Sequence, residues 1–257
     1  MTSDPRLARF LTAGDTALVV EFGDQVDRAV SDRVIALADA VEARAIAGIV
    51  ELVPTFRSLM IHYDPLRISH EDLEGEITPL LSDVGAVHQH QRLFTLPVSY
   101  GGELGADLDE VAERTHLTTA DVIRLHTAVT YHVYALGFLP GFPYMGDGPE
   151  ELSLPRREIP RLRVPMGSVC IALRQAGIYP LESPAGWHLL GRTPVRLFDP
   201  RLANPVLLAP GDKVRFKPIS AEEYHRLDDE AAAGRLEINP TDGGVPDETK
   251  DITGGAA

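Results

Sequence analysis

The chain has 257 residues, of which 44% are hydrophobic and 24% charged, enough to bury a core in one large domain or two small ones. Its 24 Lys and Arg face 38 Asp and Glu, and the formal charge of −14 repels phosphate backbones. Nucleic acid and anionic membrane are thereby excluded as leading partners. The single cysteine, Cys170, allows neither an internal disulfide nor a cysteine zinc cluster, and points to a reducing compartment. The N-terminal residues lack a signal pattern, and no apolar run approaches the ~18–20 residues of a membrane span. The sequence reads as a soluble, cytoplasmic protein.

Charge divides the chain. Residues 1–88 carry 15 acids and 7 bases (net −8), residues 89–225 carry 15 and 14 (net −1), and residues 226–257 carry 8 and 3 (net −5). Three segments are expected: a domain over 1–90, a second domain over 91–225, and an acidic tail over 226–257.

In the first segment, Thr16 to Phe22 is β-branched and apolar and stops at Gly23-Asp24, which predicts a strand. Val30, Val34, Leu37 and Val41 then recur at helical spacing. Ile49 to Val53 and Ser58 to Tyr63 predict two further strands. Ser69 followed by Asp72 resembles a capping box and opens a helix that turns Leu73, Ile77, Leu80 and Leu81 inward. Strand, helix, strand, strand, helix suggests a small α+β unit of the ferredoxin-like kind.

The second segment opens with a strand over Leu93 to Tyr100, then helices over Leu108–Thr115 and Ala120–Thr127, the latter capped by Thr118 or Thr119. From Tyr131 the chain becomes short apolar strands broken by Gly and Pro, the spacing of a barrel or sandwich. Ala221 to Leu236 has helical character with Gly234 as its stop. From about Asn239 onward the Gly-, Pro-, Asp- and Thr-rich tail has almost nothing to bury and is expected to be disordered.

Candidate chemistry concentrates between Leu136 and Pro194. Gly137-Phe138-Leu139-Pro140-Gly141-Phe142-Pro143 encodes a rigid loop carrying aromatic side chains, either a structural crossover or a pocket wall. Arg156, Arg157, Arg161 and Arg163 fall within eight residues of an otherwise acidic chain, and guanidinium forks suit a carboxylate or phosphate. The bland alternative is pairing with the protein's own acids. Cys170 sits in an apolar run with no neighbouring acid or base and reads as a buried, inert thiol. Trp187 and His188 lie side by side in a Pro/Gly turn, suited to barrel closure or to a small polar ligand. His88 and His90 fall in the expected linker as a solvated pair. No phosphate-cradling G-x-x-x-x-G-K-[ST], nucleophile elbow or H-E-x-x-H occurs, and no metal site is expected.

The runs HTAVTYHVYALGFLPGFPYMG, LPRREIPRLRVPMGSV, QAGIYPLESPAGWHLLGRTP and LLAPGDKVRF, with GDTALVVEFG and VELVPTFRSLMIHYDP before them, resemble the KipI/PxpB family, also called allophanate hydrolase subunit 1. The resemblance covers roughly residues 12–220. One departure is Pro184-Ala185-Gly186-Trp187, where the family usually carries another Gly before the Gly-Trp. The resemblance implies a small α/β domain followed by a cyclophilin-like β-barrel. It also implies one of three roles: the B subunit of a 5-oxoprolinase that opens 5-oxo-L-proline to L-glutamate with ATP, an inhibitor of a histidine kinase, or a carboxyltransferase-like part of urea or allophanate metabolism. The first is preferred here, active only with a C-type partner protein and a third, A-type subunit, with ATP used by the complex. On that reading Arg157, Arg161, Gln175, Tyr179 and Arg192 are expected to hold an anion on one concave barrel face. Phe138, Phe142, Trp187 and His188 are expected to form the wall; no catalytic residue is assigned.

Overall fold

Residue patterning alone positions the first helix. Asp27 accepts hydrogen bonds from the backbone N–H groups of Ala29 and Val30 (2.8 and 3.2 Å) and so starts α1 (Arg28–Arg44). The helix buries Val34, Leu37, Ala38 and Val41 and stops where Ala45 turns left-handed at φ 49°. In the computed structural model, which describes residues 8–82 and 92–242, that face lies on a four-stranded antiparallel sheet. Its strands are β1 (Arg9–Thr12), β2 (Ala17–Glu21), β3 (Ile49–Pro54) and β4 (Ser58–Tyr63), in the order β1-β2-β4-β3.

Strand β4 sits between β2 and β3, which are therefore parallel to each other and joined through α1. This is the split βαβ arrangement of ferredoxin-like units. The outer place beside β2 is taken by β1, from upstream of the unit. The sequence pattern misses β1 because most of its four residues are exposed and show no alternation. Ser69 caps α2 (His70–Ile77) as expected, and Leu73 and Ile77 are buried. Leu80 and Leu81 are only half-buried, because the chain tightens into a 3₁₀ turn over Thr78–Ser82 at Pro79, which has no amide hydrogen to continue the helix.

The second unit is a closed barrel of seven strands: β5 (Arg92–Tyr100), β6 (Tyr131–Leu136), β7 (Pro143–Gly146), β9 (Ser168–Ala172), β10 (Gln175–Ile178), β12 (His188–Arg192) and β13 (Lys213–Pro218). Between them lies a separate two-stranded ribbon, β8 (Arg161–Val164) with β11 (Ser183–Ala185). Around the barrel the order is β12-β9-β10-β7-β6-β13-β5, and β5 pairs again with β12 to close it. Closure removes free sheet edges. Helices α3 (Leu108–Thr115) and α4 (Thr119–Ala128), with Thr118 as the cap of the latter, follow β5.

Side-chain alternation divides the wall into two faces. Phe94, Leu96, Val98, Val169, Ile171, Ile178, Val214 and Phe216 point into one large core, joined by Val111 of α3 and Val122 of α4. The opposite parity, Cys170, Ala172, Tyr179 and Leu189, forms a second cluster on the outside with Phe142, Val164 and Trp187.

The expected tail is more integrated than its composition suggests. Helix α5 (Ala221–Ala232) spans the expected boundary at residue 225, buries Tyr224 and Ala231, and ties to the barrel through Arg196–Asp228 at 2.8 Å. Leu236 and Ile238 pack on the main core, and β14 (Thr241–Asp242) pairs with Leu93 and Arg92 of β5. Disorder from Asn239 is thus corrected for the first residues of that stretch: spare backbone groups on β5 give the chain a partner that composition cannot reveal. The boundary at 90/91, the His88/His90 pair and residues 243–257 lie outside the described residues.

The two units share a polar and aromatic junction. Ser31 Oγ lies 3.2 Å from His132 Nε2, Arg28 pairs with Asp147 at 3.2 Å, and Phe56 stacks on Tyr134 with ring centres 5.4 Å apart. Among the described residues, no helix is long and apolar enough to cross a membrane.

Candidate functional site

The loop from β6 to β7 folds back on itself: Gly137 N–H donates to Phe142 O (3.1 Å) and Phe142 N–H to Leu139 O (3.0 Å). Two residues within it take left-handed backbone, Gly141 at φ 78° and Phe138 at φ 66°. The second conformation is costly for a side chain-bearing residue, and it holds the Phe138 ring 60% exposed at the rim of a cleft. Phe142 is buried behind it, meeting Tyr144, Tyr179 and Trp187 at 5.1, 5.1 and 5.9 Å between ring centres. Phe142 can seat there because β10 presents Gly177 beneath it; a Cβ at that position would come within 2.6 Å of the ring.

The resulting cleft, of about 260 Å³, is lined by Phe138, Phe142, Tyr144, Tyr179 and Trp187, by Arg156 and Pro160 on one side and by residues 184–186 on the other. It opens on the outer face of the barrel. The Arg156 guanidinium lies over the Trp187 ring, 5.6 Å from its centre, a cation–π arrangement. Burial pushes the Tyr179 phenol and the Cys170 thiol well above their ordinary pKa values, so both stay protonated at neutral pH. The thiol is fully buried, donates to Gly177 O at 3.3 Å and packs in the cluster behind the cleft's aromatic residues.

Of the residues expected to gather on one concave face, Phe138, Phe142, Tyr179 and Trp187 do so. The others are elsewhere. Arg157 and Arg161 turn away from the cleft onto Asp107, which is 1% exposed at the start of α3. Arg157 donates to Asp107 Oδ1 at 2.9 Å and to Glu110; Arg161 donates to both Asp107 oxygens, to Oδ2 at 2.8 Å. The Leu189 amide adds a further bond at 2.7 Å. A buried carboxylate requires such saturation, and it draws in the two arginines that sequence reasoning offered to an external anion. The hydrogen bond from Arg157 also holds the Glu110 carboxyl below its ordinary pKa.

His188 separates from Trp187 because β12 begins at His188: Trp187, in the bend just before it, packs with the outer cluster, and His188 turns to the other side. Its ring is fully buried, with Nε2 2.9 Å from Pro155 O and Nδ1 4.0 Å from Glu110, so it is no part of the cleft wall. Gln175 is half-buried at the start of β10 opposite Ala172, and Arg192 lies on β12 against the Tyr224 hydroxyl of α5; neither lines the cleft. The expected single concave face is therefore two neighbouring features, an aromatic cleft and an acid-centred clamp.

Two residues that matter were not singled out by sequence. Asp107 looks like a helix cap but makes no capping bond with its side chain. Arg156 was visible only as one of four arginines. Its own signal is what it lacks: no described acid pairs with it, whereas Arg157, Arg161 and Arg163 all have acidic partners.

Comparison with known proteins agrees with this architecture. The family model described as "Carboxyltransferase domain, subdomain C and D" matches residues 8–208. The 5-oxoprolinase B subunit of Bacillus subtilis (strain 168) is 38% identical over 229 residues, covering 85% of this chain and 95% of that protein. The protein of the same name from Escherichia coli O157:H7 is 41% identical over 212 residues, covering 82% and 96%. Among solved structures, TTHA0988 superposes with a TM-score of 0.72 at 40% identity over 80% of this chain, which spans only 40% of that longer protein. With curated relatives aligned over nearly their whole length, the chain belongs to the family of 5-oxoprolinase B subunits, within the carboxyltransferase subdomain C and D group.

Proposed function

We propose that this chain acts as the B subunit of a multi-subunit 5-oxoprolinase, in which 5-oxo-L-proline is opened to L-glutamate with consumption of ATP only in the assembled complex. The observation that carries this reading is the near end-to-end match to curated proteins of that name. The geometry is consistent with a protein that depends on partners for its chemistry. The cleft is lined by aromatics, prolines and one arginine, with no nucleophile–base pair among them, and its only nearby thiol is sealed and protonated.

The same cleft does not fit ATP. Its volume lies below the ~300–1,000 Å³ of pockets that hold drug-sized ligands, and a single guanidinium cannot balance a triphosphate. We accordingly assign nucleotide handling to a partner and the holding of a small ligand to this chain, with C-type and A-type subunits completing the enzyme.

Reconstitution tests this directly. The chain is mixed with its candidate partner subunits, each is omitted in turn, and 5-oxoproline-dependent ATP hydrolysis and glutamate formation are measured. Turnover is expected only with the full set. A full set that assembles and binds 5-oxoproline yet never hydrolyses ATP with it overturns the reading.

A further inference from the structure

We propose that Arg156, and not Arg157 or Arg161, is the anion-binding residue of this protein, and that the cleft it overhangs takes a compact ring carrying one carboxylate. The inference rests on the 5-oxoprolinase reading for the identity of the ring and on the cleft's geometry for the site itself.

Three observations converge. First, the four arginines of the run divide by partner: Arg157 and Arg161 are committed to Asp107, Arg163 to Glu182, and Arg156 faces an aromatic ring with no described acid beside it. A guanidinium lying on an indole face keeps its N–H edges available for a planar, two-pronged acceptor, and a carboxylate is that acceptor. Second, the walls beside it are Phe138, Phe142, Tyr144 and Trp187, which suit the faces of a small ring and not a hydrated dianion. The volume, about 260 Å³, admits one such molecule. Third, the Tyr179 hydroxyl is paired with the buried Cys170 thiol and stays protonated, so the base of the cleft sets no negative charge against an entering carboxylate.

The clamp explains how Arg156 is held in place. Arg157, the next residue, is anchored twice: its side chain on Asp107 and its backbone N–H on Gly186 O at 2.8 Å, one residue before Trp187. That pair of contacts fixes the backbone of Arg156 relative to the indole it covers. Arg157 and Arg161 are positioning residues on this view, and Arg156 is the one that touches the ligand.

Trp187 is the chain's only tryptophan and forms part of the wall, so in the isolated chain tryptophan fluorescence reports on the cleft, and in the complex the Trp187→Phe variant supplies the background to subtract. The experiment titrates L-5-oxoproline into the full chain and into the reconstituted complex, with 2-pyrrolidone, the same ring without its carboxylate, as the control probe. The wild type is expected to give a saturable change. Arg156→Gln is expected to weaken L-5-oxoproline about tenfold or more, the loss of one charge-assisted contact, while leaving the weak response to 2-pyrrolidone unchanged. Arg156→Lys is expected to fall between, since it keeps the charge and loses the fork. The exposed position of Arg156 makes these variants compatible with folding, which the unliganded Trp187 spectrum checks.

Equal L-5-oxoproline affinity in Arg156→Gln and wild type overturns the proposal, as does the absence of any saturable Trp187 response in both chain and complex. If Arg156→Gln abolishes association with a partner protein while leaving 5-oxoproline binding intact, the guanidinium serves a protein carboxylate and the small-ligand proposal fails. The two readings separate cleanly. Normal turnover by a complex containing Arg156→Gln defeats the site while the proposed function stands. No turnover by any assembly defeats the proposed function, while a titration lost in Arg156→Gln still upholds the carboxylate site.

Discussion

The aromatic cleft and the Asp107 clamp lie side by side and draw their arginines from one eight-residue run, yet they use them in opposite ways. In the clamp, Arg157 and Arg161 satisfy a carboxylate from another part of the barrel domain and hold the strand ribbon against α3. In the cleft, Arg156 rests on a ring and leaves its hydrogen-bonding edges to whatever enters. A local excess of positive charge therefore says little about ligand binding until each cation has been matched with the acids that the fold brings to it.

The sharpest way to break this contrast is to remove the acid. Asp107→Ala leaves the partly buried Arg161 guanidinium without its counter-charge and Arg157 with Glu110 alone, and a loss of about 3 kcal/mol is expected in urea unfolding, at the lower end for a broken buried pair because both arginines retain some water. Loss of binding in the cleft should accompany it. A variant that unfolds like the wild type would show that the clamp is not what holds the ribbon.

A smaller effect is expected at the cleft's floor. Gly177→Ala places a Cβ 2.6 Å from the Phe142 ring, and overpacking of this kind costs about 1–3 kcal/mol. The lowered melting temperature should come with a shifted Trp187 emission, since Phe142 meets that indole edge-on. An unchanged spectrum would separate Phe142 from the shape of the cleft.

The smallest expected effect concerns pH. Because Arg157 lowers the Glu110 pKa from its ordinary 4.5, the carboxylate adds stability above that value, and the contribution is lost as pH falls through the lower folded value. Glu110 is partly exposed, so solvent screening limits the contribution to roughly a few tenths of a kcal/mol. Melting temperatures of wild type and Glu110→Gln should differ at neutral pH and converge in acid. A gap that widens below pH 4.5 contradicts the sign.

Much of the fold was legible because its signals are local. The caps at Ser69 and Thr118 and the helical spacing of Val34, Leu37 and Val41 declare themselves within a turn or two. The aromatics of the cleft were legible for a similar reason, since Gly and Pro around Phe138 and Phe142 announce a fixed loop. What sequence could not supply was long-range pairing. Arg157 meets Asp107 across fifty residues, β14 finds β5 from the far end of the chain, and the division of Trp187 from His188 depends on where β12 begins.

The placement of β5 has a consequence for how the chain is made. This first barrel strand is bordered on one side by β13, in parallel along six residue pairs, and on the other by β12 at its Ser99–Tyr100 end and β14 at its Arg92–Leu93 end. Strand β5 ends at Tyr100, and none of these neighbours begins before His188. The four-stranded unit ahead of it can complete its own pairings as soon as β4 emerges, whereas the barrel must keep its first strand uncovered until its last ones arrive. Late, non-local pairing of this kind folds slowly and exposes an adhesive edge meanwhile. Truncation just before Lys213 should therefore yield an aggregating chain, not a smaller barrel.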